Sequence, residues 1–177
     1  MELLTNGIGL TAVVFLPIIS ALVLTAIPKS QELLIKGFAL VSSIVTFVLS
    51  VLLLPHFDFS NADKLQLGNK ITWIKSINAN YEIGIDGISL PLLILSTFIT
   101  VLAIVYSIEH LPEPKSPKGF LALILVLETG MNGTFVALDL ILFFVFFEIV
   151  LLPMYFMIGI WGDKTVRSVA GFKNQIE

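Results

Sequence analysis

Cysteine is absent from this sequence of 177 residues, and only 13% of the residues are charged. Without cysteine, the chain forms neither a disulfide framework nor a thiolate metal site. The sequence also lacks paired histidines at metal-ligand spacing, a glycine-rich phosphate loop, a serine nucleophile elbow and a basic aromatic stripe for nucleic acid. We therefore expect no cofactor, metal or nucleic acid to bind to this chain.

The low charge content is accompanied by 56% hydrophobic residues and a mean hydropathy of +0.99, whereas soluble domains carry about 25% charged residues. Three stretches, 7–27, 37–55 and 87–108, contain no Asp, Glu, Lys or Arg, and a bilayer crossing needs about 20 helical residues. Residues 119–162 are again almost wholly apolar, which at about 1.5 Å per residue is long enough for two crossings with a turn near Asp139. These features predict an all-α integral membrane protein.

We predict one membrane domain over residues 1–177 with about five helices. Their predicted ranges are 7–27, 33–54, 86–108, 118–136 and 139–161. The main extramembrane segment, 56–84, contains β-branched and aromatic residues around an Asn- and Ser-rich break. This pattern fits a short β-hairpin in its second half, from Ile71 onwards, or an amphipathic interfacial segment. Asp86 is placed to cap the third helix.

The basic residues of the connections predict an orientation. One side would receive Lys29, Lys36, Lys115, Lys118, Lys164, Arg167 and Lys173, and the other Lys64, Lys70 and Lys75. Cytoplasmic connections carry the excess of Lys and Arg. We therefore expect the N-terminus outside and the C-terminus in the cytoplasm, with the chain in the cell (inner) membrane.

Glu128 and Glu148 lie inside the apolar stretch, where a carboxyl group costs roughly 2.5 kcal/mol or more on insertion scales. With a turn near residue 137, both would lie roughly 14 to 16 Å deep at about 1.5 Å per residue, close to the bilayer midplane. On antiparallel neighbouring helices they could share a proton or water. Because burial disfavours a charged carboxyl, we expect at least one of them to be protonated. Both are candidate proton-relay residues, and the alternative is a neutral carboxyl that bonds to a neighbouring helix.

The two helices that carry these glutamates have further special residues. Pro153 cannot donate to the carbonyl of Ile149, which predicts a kink and a free acceptor beside Glu148. Small and polar residues on the fourth helix predict close packing with a hydrogen bond between helices; they are Gly130, Asn132 and Gly133. On the third helix we expect hydroxyls to bond to the preceding turn rather than line a hydrated path; they are Ser96, Thr97 and Thr100.

Four characteristic strings lie within residues 80–167: Tyr81-Glu-Ile-Gly-Ile-Asp86-Gly-Ile-Ser89, Leu127-Glu128-Thr-Gly-Met-Asn-Gly-Thr-Phe135, the apolar run from Asp139 to Glu148, and Leu152-Pro-Met-Tyr-Phe-Met-Ile-Gly-Ile-Trp-Gly162. Through these strings the chain closely resembles the M-type (chain 4) antiporter-like subunit of bacterial NADH:quinone oxidoreductase, respiratory complex I. The resemblance implies a membrane-arm subunit that couples electron transfer in other subunits to proton translocation. Glu148 matches the family's glutamate that pairs with a lysine on a later helix.

The resemblance also implies partners and cofactors elsewhere. Flavin, iron-sulfur clusters and quinone would belong to partner subunits, so this chain would be a non-redox subunit of a translocase. Its partners would be other membrane-arm subunits, the lipid bilayer and protons. Because family members have many more helices, we expect this chain to be the N-terminal portion of a longer one. Two alternatives are a subunit of a multisubunit Na+/H+ antiporter and a non-transporting packing or assembly protein.

Overall fold

The computed structural model describes residues 7–111 and 117–162. Its five long helices are α1 (Ile8–Ala26), α2 (Glu32–Val51), α3 (Ser89–Glu109), α4 (Pro117–Val136) and α5 (Leu140–Trp161). All five are long and apolar enough to cross a membrane. The predicted helices are therefore confirmed, and the largest differences in their bounds are at the end of α2 and the start of α3.

The connection between α2 and α3 forms a β-hairpin of β1 (Gln66–Ile74) and β2 (Ala79–Ile85), paired antiparallel. Asn78 precedes β2 in the left-handed region, with φ of 53°, a conformation that asparagine tolerates well. The predicted hairpin is confirmed, although β1 begins before Ile71. The prediction missed the first part of the strand because Gly68 and its polar neighbours gave no alternating pattern.

The hairpin lies across one end of the helix bundle, with β2 buried and β1 largely exposed. Tyr81 of β2 donates its hydroxyl to Thr11 Oγ1 of α1 at 3.1 Å. The backbone N–H of Leu138, in the turn between α4 and α5, donates to the carbonyl of Glu82 at 2.8 Å. The hairpin is thus attached both to α1 and to the turn that joins the two glutamate-bearing helices.

Asp86 caps α3 as predicted, because its carboxylate accepts from the N–H groups of Ile88 and Ser89 at 3.0 and 2.7 Å. At the opposite end of the bundle, the Lys118 ammonium donates to the carbonyl of Ile27 at 2.7 Å. We call these two ends the hairpin end and the Lys118 end.

The predicted orientation remains a prediction. Within the described residues, each end of the bundle has three lysines: Lys64, Lys70 and Lys75 at the hairpin end, and Lys29, Lys36 and Lys118 at the other. The basic residues that would give the Lys118 end its excess of positive charge lie outside the described residues; they are Lys115, Lys164, Arg167 and Lys173. The polar C-terminal string 168–177 also lies outside them.

Asp139 joins the hairpin to α5. Its carboxylate accepts from the N–H groups of Asn80, Ile141 and Leu142 at 2.9, 2.9 and 3.2 Å. The hydrogen bond from Asn80 contributes most to holding the pKa of Asp139 below its ordinary value; desolvation opposes it, and the two helical N–H groups add to it. The helix therefore has a charged N-cap that also holds the hairpin.

We expect Asp139→Ala to lower the unfolding temperature at neutral pH, because three N–H groups lose their acceptor. The pKa of Asp139 is lower in the folded than in the unfolded state. The carboxylate therefore stabilises the fold fully above the unfolded pKa, and this contribution is lost as the pH falls through the folded pKa. Thermal unfolding of both proteins in detergent should show a difference that shrinks in acid. The control is Asp63→Ala, which changes an exposed aspartate at the same end of the bundle. Equal unfolding temperatures for Asp139→Ala and the parent chain at neutral pH would contradict the expectation.

The bundle has two apolar clusters with a polar layer between them. The cluster at the hairpin end includes Leu10, Val13, Leu53, Ile83, Leu93 and Phe146. The cluster at the Lys118 end includes Leu24, Ile35, Ala39, Ile104, Leu121 and Leu125. The polar layer consists of buried side chains from α2, α3 and α4: Ser42, Ser43, Thr46, Ser50, Ser96, Thr97, Thr100, Glu128, Thr129 and Asn132.

Candidate functional site

Proline breaks the hydrogen-bond ladder of α1 at its centre. Pro17 lies inside α1 and has no N–H to donate to the carbonyl of Val13. The side-chain amide of Asn132 on α4 donates to this carbonyl at 3.3 Å, and its oxygen accepts from the Ser96 hydroxyl of α3 at 3.2 Å. The predicted hydrogen bond between helices is confirmed, and it links three helices. Sequence reasoning missed Pro17, although a proline within the first apolar run was the available signal.

Glycines bring α4 and α5 into close contact, as predicted. A Cβ added to Gly130 would lie 2.8 Å from the backbone nitrogen of Val150 and 3.0 Å from the carbonyl carbon of Ile149. One added to Gly133 would lie 2.2 Å from the ring of Phe146. Ile149, whose carbonyl receives no hydrogen bond from Pro153, is therefore packed against α4. The predicted kink at this proline remains a prediction.

The hydroxyls of α3 bond mainly to their own helix. Thr97 donates to the carbonyl oxygens of Leu93 and Ile94, and Thr100 donates to that of Ser96. This confirms the expectation for the threonines, whereas Ser96 bonds to α4 instead. The bonding of the threonines to the preceding turn gives no support to a hydrated path along α3.

Glu128 lies in the polar layer with none of its surface exposed. Neither carboxyl oxygen has a hydrogen-bond partner among the described residues. Because α4 runs antiparallel to α1 and α3, the contacts of Asn132 with Val13 and Ser96 set the register. One turn earlier on α4, Glu128 is therefore level with Pro17 and Thr100. The hydrogen bond to a neighbouring helix, the alternative from the sequence, is not formed within the described part of the chain.

Glu148 is exposed on the outer side of α5. This helix packs onto the bundle through Leu142, Phe146, Pro153 and Gly159, and large exposed apolar side chains surround the glutamate, among them Phe144, Phe147 and Leu152. Glu128 faces the interior of the bundle, so the two carboxyls do not face each other. The structure therefore does not join them through a shared hydrogen bond, although both lie near mid-depth.

No group of three or more His, Cys, Asp and Glu side chains arranged to hold a metal ion occurs among residues 7–111 and 117–162. The polar features of the described helices that remain as candidates are therefore the two glutamates, the carbonyls left free by prolines inside helices, and Asn132.

Two family models match the chain. The model for the amino terminus of NADH-ubiquinone oxidoreductase chain 4 matches residues 12–134, which include α2, α3 and the hairpin. The model for the transmembrane region of NADH:quinone oxidoreductase/Mrp antiporter subunits matches residues 137–176, which include α5. Together they span both glutamates.

Curated relatives agree with these models. The chain is 35% identical over 165 residues to NADH-ubiquinone oxidoreductase chain 4 of Marchantia polymorpha, covering 93% of this chain and 33% of the relative. It is 36% identical over 166 residues to NADH-quinone oxidoreductase subunit M of Rickettsia typhi, covering 90% and 33%. It is 34% identical over 160 residues to F(420)H(2) dehydrogenase subunit M of Methanosarcina mazei, covering 90% and 31%.

The chain spans about a third of the length of these relatives. The family model nevertheless covers well over half of the chain, and five helices of membrane-spanning length accompany it. This chain is therefore a multi-pass membrane protein that belongs to the NADH-ubiquinone oxidoreductase chain 4 family.

Proposed function

We propose that this chain is part of the membrane arm of a proton-translocating NADH:quinone oxidoreductase, where it couples electron transfer in other subunits to proton movement. The family match and the printed names of the relatives support this proposal. Because the chain has no cysteine, the thiolates that hold iron-sulfur clusters would have to come from other subunits. Flavin and quinone are likewise assigned to partner subunits in this proposal, as the resemblance to the chain 4 family implies.

The observation that carries the proposal is the place of Glu148 on the outer face of α5. This helix buries the smallest share of its residues among the five described spans. Direct contact of a carboxyl with lipid hydrocarbon is unfavourable, and intramembrane ionisable groups face protein or water-filled cavities. The face of α5 around Glu148 would therefore be covered by another helix of the assembled complex.

The covering helix would carry a basic group at the same depth. The resemblance implies a lysine, which would stabilise the charged form of Glu148 while it is near. When the basic group moves away, the carboxyl in its apolar surroundings would take up a proton. Such a relay has to control when the carboxyl is charged, because moving one elementary charge through 100 mV involves about 2.3 kcal/mol.

Glu148→Gln, introduced into the full-length protein within the assembled complex, is the test. Glutamine keeps the size and hydrogen-bonding capacity of the side chain but cannot release a proton. We expect NADH-driven proton uptake in membrane vesicles to be lost. Glu109→Gln, the same change at the exposed end of α3, should leave uptake close to that of the parent complex. Unchanged proton uptake in the Glu148 variant would contradict the relay role.

A sodium/proton antiporter subunit is the second candidate, because the family model over residues 137–176 also describes Mrp antiporters. The relatives above are named as oxidoreductase or dehydrogenase subunits, which favours the first candidate. The same vesicles separate the two: NADH-driven acidification in sodium-free medium supports the oxidoreductase, and acidification that needs a sodium gradient but no NADH supports the antiporter. A packing or assembly role predicts neither.

The location of the assembled protein is also part of the proposal. We place it in the cell (inner) membrane with the N-terminus and the hairpin outside. The support is the excess of Lys and Arg in the opposite connections, including those beyond the described residues.

A further inference from the structure

The buried side-chain atoms that lack a hydrogen-bond partner occur within about one helical turn of each other along the bundle axis. Among the described residues they are Oε1 and Oε2 of Glu128 and Oγ of Ser42. Glu128 is fully buried, and only 7% of the Ser42 surface is exposed. Leaving such groups without a partner costs about 1 to 3 kcal/mol each. Among the described residues these are the only fully enclosed side-chain N and O atoms without a partner, and native structures leave few such groups unsatisfied.

Helix register places these two side chains at similar depths in the bundle. Ser50 of α2 and Thr97 of α3 share a hydrogen bond of 2.9 Å, and Ser96 bonds to Asn132 of α4. Because α2 and α4 run parallel, Glu128 is level with Thr46, and Ser42 lies one turn closer to the Lys118 end. Side chains on a helix lean toward its N-terminus, so the long glutamate side chain extends toward the level of Ser42.

In the described part of the chain, the surroundings of the Glu128 and Ser42 side chains are closed and uncharged. The two apolar clusters lie on either side of the polar layer along the bundle axis. The basic residues of the described helices that are nearest in sequence, Lys36 and Lys118, belong to the Lys118 end rather than to the polar layer. The threonines around Glu128 already donate to backbone carbonyls, Thr46 to that of Ser42 and Thr100 to that of Ser96. Among the described residues no donor is thus positioned for the carboxyl, whereas the oxygens of these hydroxyls can still accept.

We propose that the polar layer holds internal water between the Glu128 carboxyl and the Ser42 hydroxyl. Buried waters bind to otherwise unsatisfied polar groups and make about three hydrogen bonds each. The ligand is water, bound to an uncharged glutamic acid inside the α1 to α4 core. This site is distinct from the outer face of α5 and does not depend on the proposed role of Glu148. Because an apolar cluster closes each side, exchange of this water with bulk solvent requires the helices to separate locally.

Infrared spectroscopy of the assembled complex tests the site. The C=O stretching band of the Glu128 carboxylic acid is identified as the band that disappears in the Glu128→Gln variant. In the parent complex, we expect this band at the lowered frequency of a hydrogen-bonded acid. Ser42→Ala removes one of the groups that hold the water and should raise the frequency. Ser43→Ala is the matched control, because this neighbouring buried hydroxyl already donates to the carbonyl of Leu40 and its removal should leave the band in place.

Three results would overturn the proposal: a band at the frequency of an unbonded acid in the parent complex, no response to Ser42→Ala, or no acid band that Glu128→Gln removes. If the glutamine variant does not assemble, the parent complex still decides the question by electron cryomicroscopy. A density peak within hydrogen-bond distance of the Glu128 carboxyl supports the site, and a resolved core without one contradicts it. Neither readout involves pumping, so a failed Glu148 test leaves this result unaffected.

Discussion

Gly133→Ala should destabilise the protein strongly, because the added methyl group has no space between α4 and α5. The Cβ would lie 2.2 Å from two carbons of the Phe146 ring. This ring is 2% exposed and packs against Phe15, with ring centroids 6.1 Å apart, so it cannot turn aside freely. Inserting a methyl group into a packed core costs typically about 1 to 3 kcal/mol. Denaturant unfolding in detergent should show a loss of that size.

Gly37→Ala is the control for this substitution. Gly37 lies inside α2, and nothing lies within 4 Å of its added Cβ. Alanine has a higher helix propensity than glycine by about 1 kcal/mol, so this variant should be as stable as the parent chain or slightly more stable. Combining Gly133→Ala with Phe146→Leu should recover part of the loss, because the smaller side chain makes room. Equal stability of the two glycine variants would contradict the close packing of α4 on α5.

Asn132→Leu should produce the second large loss of stability. The substitution leaves two groups without a partner in the interior of the bundle: the Val13 carbonyl, which Pro17 cannot bond, and the Ser96 hydroxyl. A buried polar group without its partner costs about 1 to 3 kcal/mol. We therefore expect the free energy of unfolding in detergent to fall by about 2 kcal/mol or more, with the helices still formed.

A double-mutant cycle with Pro17→Ala isolates the cause. Alanine at position 17 has an N–H that can donate to the Val13 carbonyl and restore the ladder of α1. The Asn132→Leu change should then cost less in the Pro17→Ala background than in the parent chain, with a coupling of about 1 kcal/mol. Additive losses would show that Asn132 does not act through the carbonyl that the proline leaves free.

The membrane spans could be predicted from the sequence because their signals are local. Uncharged runs of sufficient length predict a helix across the bilayer wherever they occur. Asp86 was predicted as a cap from its position before an apolar run, and the structure confirms this. The hairpin was predicted less completely, because residues 66–70 at its start show no pattern typical of strands.

The environment of the two glutamates could not be predicted in the same way. In a soluble protein, apolar periodicity marks the buried face of a helix. The helix α5 is apolar on every side, since lipid and protein interior favour the same side chains. The sequence therefore contained no signal that Glu148 faces outward while Glu128 faces inward. The same reason explains why the partnership of Pro17 with Asn132 was missed.

For the described part of the chain, the sequence by itself determined five helices long and apolar enough to cross a membrane, a turn near residue 137 and two carboxyls near mid-depth, because hydropathy and chain length decide these features locally. Only the tertiary structure decided that Asn132 replaces the hydrogen bond lost at Pro17, and that one glutamate is enclosed while the other is on the outer face. These arrangements depend on how each helix is rotated about its axis. That rotation is set by packing at Gly130 and Gly133 and by hydrogen bonds between helices, which join residues far apart in the chain.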